Sequence, residues 1–274
     1  MLFQILSSRS HRPPSGPQAS PEKDALSRVG SAPRGARVAL VALLLLPSFG
    51  AWGTAQGQSD PFSTARRSMV SEQVVKRGIE TPVLLDAMQD VPRHLFVPEG
   101  SEPRAYEDMP VTIAPGKTLS QAYVSARMIS LLELEGDEKV LEIGTGSGYD
   151  AALLSQLASE VFTIEIDRGL GEKAKATLER LGYENVHVEV GDGYRGWPSE
   201  APFDAILITA APERIPEPLL AQLKDGGRMV VAVGGLVQDL QVVTKSGDEI
   251  QRRTVSLVNL SPMTGEVQRD QDRR

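Results

Sequence analysis

Val140-Leu141-Glu142-Ile143-Gly144-Thr145-Gly146-Ser147-Gly148-Tyr149 decides the fold of this 274-residue chain. Val140 to Ile143 reads as a strand, and three glycines at alternate positions then lead into an apolar helical pattern. A glycine loop in that setting lets backbone N–H groups and bare backbone approach a ligand at the strand's carboxyl end. A glycine loop alone can be a tight turn; the strand before it and the helix after it favour ligand binding. The dinucleotide pattern G-x-G-x-x-G would place its third glycine at position 149, where Tyr149 stands, so NAD is disfavoured.

Downstream, strands and helices alternate. A helix to Ala158 is followed by the strand Val161 to Ile164, a helix to Leu181 and the strand Val186 to Val190. The strand Phe203 to Thr209, a short helix near Pro216 to Leu223 and the strand Arg228 to Val233 extend the series. This order predicts an α/β fold with a doubly wound, mostly parallel Rossmann-like sheet. Leu240 to Thr244 and Gln251 to Val258 flank Lys245-Ser246-Gly247-Asp248, which predicts a C-terminal antiparallel hairpin. Upstream, Asp60-Pro61 and Thr81-Pro82 each read as a helix start, giving an N-terminal helical cap. Gly78 closes the first of these helices and Val91-Pro92 the second. Pro98 to Thr118 reads as a long loop of the kind that carries function, followed by a helix from Gln121 to Leu132. The expected organisation is a tail over 1–59 and one domain over 60–274. Within it, 60–135 is cap and substrate loop, 136–235 the cofactor core and 236–265 the hairpin edge.

Residues 7–37 are rich in Ser, Pro, Gly and Arg and read as disordered or removed. Val38 to Leu46 is unbroken apolar sequence behind Arg34 and Arg37, a signal-like pattern well short of the ~20 residues that span a bilayer. No permanent membrane span is therefore expected.

Composition narrows the chemistry. The chain has no cysteine, which excludes disulfides, thiolate zinc sites and cysteine nucleophiles. It has three histidines: His11 lies in the tail, His187 on the polar side of a strand, and only His94 is a candidate. No G-x-S-x-G, H-E-x-x-H or clustered carboxylate loop occurs, so neither a serine hydrolase nor a metal centre is indicated. Net charge is −7, and because residues 1–58 hold six Lys/Arg against two Asp/Glu, the remainder stands at −11. That balance argues against a nucleic-acid partner.

Two acids complete a nucleoside pocket around the glycine loop. Glu165, at the end of the second strand, is placed to accept both hydroxyls of an adenosine ribose; it reads equally as a solvated strand-end acid. Asp192, in Gly191-Asp192-Gly193, is placed for the adenine edge; the alternative is a plain Gly-Asp-Gly turn.

At this point the residues resemble the protein-L-isoaspartate O-methyltransferase family of S-adenosylmethionine-dependent methyltransferases. The glycine-loop decapeptide, Val91-Pro92-Arg93, Phe96-Val97-Pro98 and Ala105-Tyr106-Glu107-Asp108 are similar to that family's segments. So are Thr118-Leu119-Ser120-Gln121, Gly191-Asp192-Gly193 and Ala201-Pro202-Phe203-Asp204, in the family's order, over roughly residues 62–265. The resemblance implies methyl transfer from S-adenosyl-L-methionine to the α-carboxyl of L-isoaspartyl residues in damaged proteins, giving a methyl ester and S-adenosylhomocysteine. It implies Ser120 as the active-site residue. It assigns Glu142, Gly144, Thr145, Gly146, Ser147, Gly148, Glu165, Asp192 and Gly193 to the cofactor. Thr118, Gln121, Thr209 and Ala210 fall on the substrate side, although Thr209-Ala210-Ala211 also reads as an ordinary strand-to-helix connection. Ser120 itself also fits a helix N-cap. A carboxylate acceptor is already ionised near neutral pH, so neither a strong base nor a metal is needed.

Three positions depart from the family pattern: Ala122 where proline is usual, Asp150 where glutamine is common, and Asn259-Leu260-Ser261-Pro262 where Phe-Val-Pro is typical. A methyltransferase of a small carboxylate or hydroxyl, and a non-catalytic adenosine-binding module, are the competing readings. Because the donor is made in the cytosol, a cytoplasmic protein is expected; export, with aged envelope proteins as substrates, follows if residues 34–55 act as a signal peptide.

Overall fold

The computed structural model describes residues 60–272; the tail and signal-like segment lie outside them. The first helix begins at Ser63, with Phe62 as its N-cap, two residues after the start expected at Pro61; Asp60 Oδ1 accepts the Phe62 N–H at 2.9 Å in the turn ahead of it. The helical run begins as α1 (Ser63–Ser68), widens to a π-helix over Met69–Val74, tightens to a 3₁₀ turn over Val75–Arg77 and stops at Gly78, whose φ is 85°. α2 (Pro82–Asp90) starts on its proline as the sequence predicts.

The long loop is more ordered than its composition indicates. It contains a small antiparallel ribbon, β1 (Val111–Ala114) and β2 (Lys117–Leu119), turned at Pro115-Gly116. Strands this short carry too few alternations to register as a period. The ribbon leads into α3 (Ala122–Ser130), whose N-cap is Gln121. Ser120 therefore lies one residue ahead of the cap position considered for it.

The core follows the predicted alternation: β3 (Lys139–Ile143), α4 (Tyr149–Leu154), β4 (Glu160–Glu165), α5 (Arg168–Leu181), β5 (Val186–Val190), β6 (Phe203–Ile208), α6 (Glu217–Gln222) and β7 (Leu223–Val233). α4 ends four residues before the expected Ala158, and β7 begins at Leu223 rather than Arg228. The hairpin is β8 (Gln238–Ser246) and β9 (Glu249–Val258), and α7 (Glu266–Asp272) follows. The seven strands lie in the order β5-β4-β3-β6-β7-β8-β9, parallel as far as β7 and antiparallel beyond it.

Two apolar layers sandwich this sheet. Val140, Val161, Leu207 and Val230 face α3, α4 and the cap, while Leu141, Ile206, Met229 and Val231 face α6. Both faces of the central strands are covered, so they read as apolar runs rather than as alternating sequence. The sheet reverses its winding between β3 and β6, and the carboxyl ends of β3, β4 and β6 open a crevice there.

Gly148 shows how tightly the crevice is backed. Its φ is 89°, and a Cβ there would lie 3.2 Å from Leu178 Cδ1 and 3.4 Å from Ala174 Cβ on α5. Gly148→Ala is expected to destabilise the protein by about 1–3 kcal/mol, through the left-handed backbone and overpacking together. Urea unfolding measures this, and an unchanged midpoint would contradict it.

Candidate active site

The glycine loop is held from both sides. Glu165 accepts the Gly146 N–H on Oε2 at 2.8 Å and the Asp167 N–H on Oε1 at 2.9 Å, so the strand-end acid clamps the loop to β4. Thr209 lies on the other side. Its N–H donates to the Ile143 carbonyl at 3.0 Å, and its hydroxyl lies 2.7 Å from the Gly144 carbonyl oxygen. Gly144 has φ 101°, and a Cβ there would collide with Thr209 Oγ1. Gly146 has φ 54°, so both residues occupy the left-handed region that glycine tolerates.

Beneath the loop runs a buried polar chain. Thr145 Oγ1 lies 2.6 Å from Thr163 Oγ1, which donates to Glu142 Oε2, also at 2.6 Å. Glu142 is fully buried and its Oε1 has no hydrogen-bond partner. Burial pushes its carboxyl well above the usual range, and the nearby Asp150 and Glu165 push in the same direction. Glu142 and Thr145 thus support the loop from below, whereas Gly144, Gly146 and Glu165 line the open crevice. Ser147 faces a separate small hollow beside Phe96 and Leu170.

Asp192 holds backbone on both of its oxygens. Its Oδ1 accepts the Tyr194 N–H at 3.0 Å and its Oδ2 the Glu266 N–H at 2.7 Å. It therefore caps its own turn and ties down the C-terminal segment, while Gly193 lines the crevice beside Ile143 and Ile166. That C-terminal segment returns from β9 to the crevice, where Ala211 N–H donates to the Ser261 carbonyl and Met263 N–H to the Ala211 carbonyl. Met263 and Thr264 become part of the wall. Sequence reading ended the hairpin at 265 and assigned these residues no role; they show no periodicity from which one could be read.

The β1–β2 ribbon and the residues after it form a further wall of the crevice. Thr118, Ser120 and Gln121 line one cavity with Gly144, Thr209 and Ala210. Among the described residues Lys117 is the single cation on its wall. Gln121 donates through Nε2 to the Asp108 carbonyl at 3.1 Å. Ser120 is held through its backbone: Arg93, with no solvent exposure, donates from Nη2 to the Ser120 carbonyl and from Nε to the Ala105 carbonyl at 2.7 Å. Its guanidinium lies 4.6 Å from the centre of the Tyr149 ring. In the sequence Arg93 stands within Val91-Pro92-Arg93, a motif that gives it no role of its own. A charged residue in a stretch that must be buried was the available signal.

His94, the only candidate histidine, belongs to the cap. Its Nδ1 lies 2.7 Å from the Tyr106 hydroxyl and its ring 4.5 Å from that of Phe62. Burial holds its pKa below the ordinary histidine range, against the pull of Asp60. Among the described residues no group of His, Asp and Glu is arranged to hold a metal ion, and no helix is long and apolar enough to cross a membrane.

The residues around the crevice fit a cationic nucleoside. Glu142, Asp150 and Glu165 are near enough that the latter two raise the first, and Glu142 retains an unpartnered oxygen. The switch-point crevice, a glycine loop without the dinucleotide spacing and Glu165 beside it together define a Rossmann-like methyltransferase, whose donor carries positive charge at sulfur and at its amine.

The family model for protein-L-isoaspartate(D-aspartate) O-methyltransferase matches residues 65–268. The chain is 53% identical over 216 residues to protein-L-isoaspartate O-methyltransferase 2 of Shewanella sediminis, covering 78% of this chain and 88% of that one. A solved protein-L-isoaspartate O-methyltransferase superposes with a TM-score of 0.68 at 28% identity, over 75% of this chain and 69% of the other. A Plasmodium falciparum protein solved with S-adenosyl-L-homocysteine shares the fold, with a TM-score of 0.63 at 22% identity over 73% of this chain and 98% of that one. The chain belongs to the protein-L-isoaspartate O-methyltransferase family.

Two expectations follow from the buried charges. Folding holds the Glu142 proton more tightly than the unfolded chain does, so wild-type stability falls as pH rises above about 4.5 toward the raised folded value. Glu142→Gln mimics the protonated form and escapes that loss. Its melting temperature should exceed that of the wild type at neutral pH and the gap should close toward pH 4.5; a constant gap would contradict this. Arg93→Met leaves two backbone carbonyls without donors and should cost about 2–4 kcal/mol in urea unfolding. A loss under 0.5 kcal/mol, roughly the effect of an ordinary surface substitution, would contradict that.

Proposed function

We propose that this chain methylates the α-carboxylate of L-isoaspartyl residues in damaged proteins, with S-adenosyl-L-methionine as donor. The observation that carries the reading is a shared cavity: Ser120 lines the same space as Gly144, Gly146, Glu165 and Thr209. Acceptor and donor can therefore meet without movement of the sheet. When bound, the donor supplies an electrophilic methyl carbon on a sulfonium.

The chain's residues supply position and electrostatics. Gly144 and Gly146 allow close approach, and Glu165 keeps lone pairs for the ribose hydroxyls while it clamps the loop. Glu142 and Thr145 support the loop, Ser147 lines the hollow beside it, and Asp192 fixes the turn that presents Gly193. Ser120 donates a hydrogen bond to one oxygen of the acceptor carboxylate and leaves the other aimed at the methyl carbon. Thr118, Gln121 and Ala210 shape that side of the cavity. Lys117 makes an anionic acceptor welcome in an otherwise acidic domain. No general base is required, because the attacking oxygen is already ionised. The domain that carries out this work is 60–274, and its place is the cytoplasm, where the donor is made.

Radiolabel from S-adenosyl-L-methionine should appear on a peptide with one L-isoaspartyl residue and not on its aspartyl twin. Label on both, or on neither while the donor binds, would overturn the reading. Ser120→Ala should lower kcat at least about tenfold with a smaller effect on donor affinity, the loss of one positioning hydrogen bond. Equal turnover in the variant would remove Ser120 from the mechanism.

A further inference from the structure

A second cavity opens off the first. Pro110, Gln121, Val124 and Asn259 line both, so the groove is continuous with the Ser120 cleft. It runs between α3 and the end of β9. Gln121, Val124 and Arg127 form its helical wall at a spacing of three residues, which places them on one face. Leu257, 69% exposed, lies on the opposite wall. Among the described residues no acidic side chain lines the groove, whereas Arg77 and Arg127 both do. Arg77 is already engaged: it pairs with Asp108, and its guanidinium lies 5.1 Å from the centre of the Tyr123 ring. Arg127 has no carboxylate partner among the described residues, in a chain whose net charge is −7.

We propose that this groove carries the peptide flanking the isoaspartyl residue, and that Arg127 selects a carboxylate side chain on it. The proposal rests on the methylation reading above. Six residues of helical rise separate Gln121 from Arg127, about 9 Å along the axis. An extended peptide covers that span in roughly three residues. The selected Asp or Glu thus lies two or three residues from the one that is methylated. The apolar walls accept the intervening side chains without regard to sequence, which suits an enzyme whose targets share only the damaged residue. The arginine then adds a bias by charge, not an absolute requirement.

The test uses full-length chain and a set of isoaspartyl peptides of equal length. They carry Glu, Gln or Lys at the second or third residue on either side. For the wild type, kcat/KM should favour the Glu peptide over the Gln peptide about threefold to tenfold on one side, mainly through KM, with the Lys peptide poorest. Added salt should shrink that contrast. Arg127→Gln should abolish the preference and Arg127→Glu should invert it toward Lys, an inversion that a purely structural role would not produce. Equal values for the three peptides in the wild type, or a Glu preference that survives Arg127→Glu, would overturn the groove assignment alone. No label on any peptide would overturn the methylation reading and the groove assignment with it.

Discussion

A guanidinium buried without solvent has to spend its donors inside the protein, and the placement of the substrate side of this molecule follows from how Arg93 does so. Nε and Nη2 donate to the carbonyls of Ala105 and Ser120, two points in a segment whose only regular structure is a short ribbon and a 3₁₀ turn, while Nη1 has no hydrogen-bond partner among the described residues. Losing that cation would leave both carbonyls unpaired in an apolar setting, so the segment cannot drift far at small cost. Tyr149, the first residue of α4, meets the guanidinium with its ring face. The helix that follows the glycine loop and the turn that carries Ser120 are thereby referred to one charge. Donor and acceptor sites come from different parts of the chain, and Arg93 is where their positions are made to agree.

The donor side is held by a different principle. Glu165 ends β4 and Thr209 follows the end of β6, on either side of β3, and each bonds the backbone of the loop that β3 feeds. The parallel register does the positioning: Ile143 lies opposite Ile164 and Ile208, so the residues that follow all three emerge at one level. Gly144 is required there because the threonine that closes the gap occupies the space of a side chain. The same contact explains why a residue expected to face substrate is partly a fixture of the loop.

What could be read from the sequence was whatever carried a period or a local backbone demand. Val140 to Ile143, the glycine loop and the alternation downstream are of that kind, and the observed sheet agrees with them strand by strand. Glu165 follows from the topology alone, as the acid that ends the neighbouring strand. Asp192 shows the limit: its position after β5 was correctly located, but the partner that takes its second oxygen is the Glu266 amide, remote in sequence. The return of residues 259–266 to the crevice was illegible for the same reason. It is built from single backbone bonds to Ala211 and from side chains remote in sequence: Asp192 and Arg195 hold Glu266, and the Gln238 amide both accepts the Leu260 N–H and donates to the Leu260 carbonyl. Contacts of that sort leave no pattern in neighbouring residues. Arg93 left one, a cation among Val91, Phe96 and Val97, but its meaning depended on which carbonyls it would meet.

The charge distribution gives the cleft a direction. An acidic domain is a poor host for an anionic acceptor unless the field is divided locally. Here the division follows the chemistry. Glu142, Asp150 and Glu165 lie behind and beside the glycine loop, where a cationic donor offsets their mutual repulsion and makes ionised Glu142 less costly. Lys117, on the ribbon, lines the same cavity, and in the reaction proposed above the acceptor carboxylate enters beside it. Attack then moves negative charge from the acceptor toward the sulfonium and annihilates both. The favourable fields act most strongly on the separated charges of the bound reactants, so they cannot by themselves lower the barrier. Rate has to come from alignment and partial desolvation of the carboxylate, and this is why the buried arginine and the rigid loop, more than any titrating side chain, are the parts the reaction depends on.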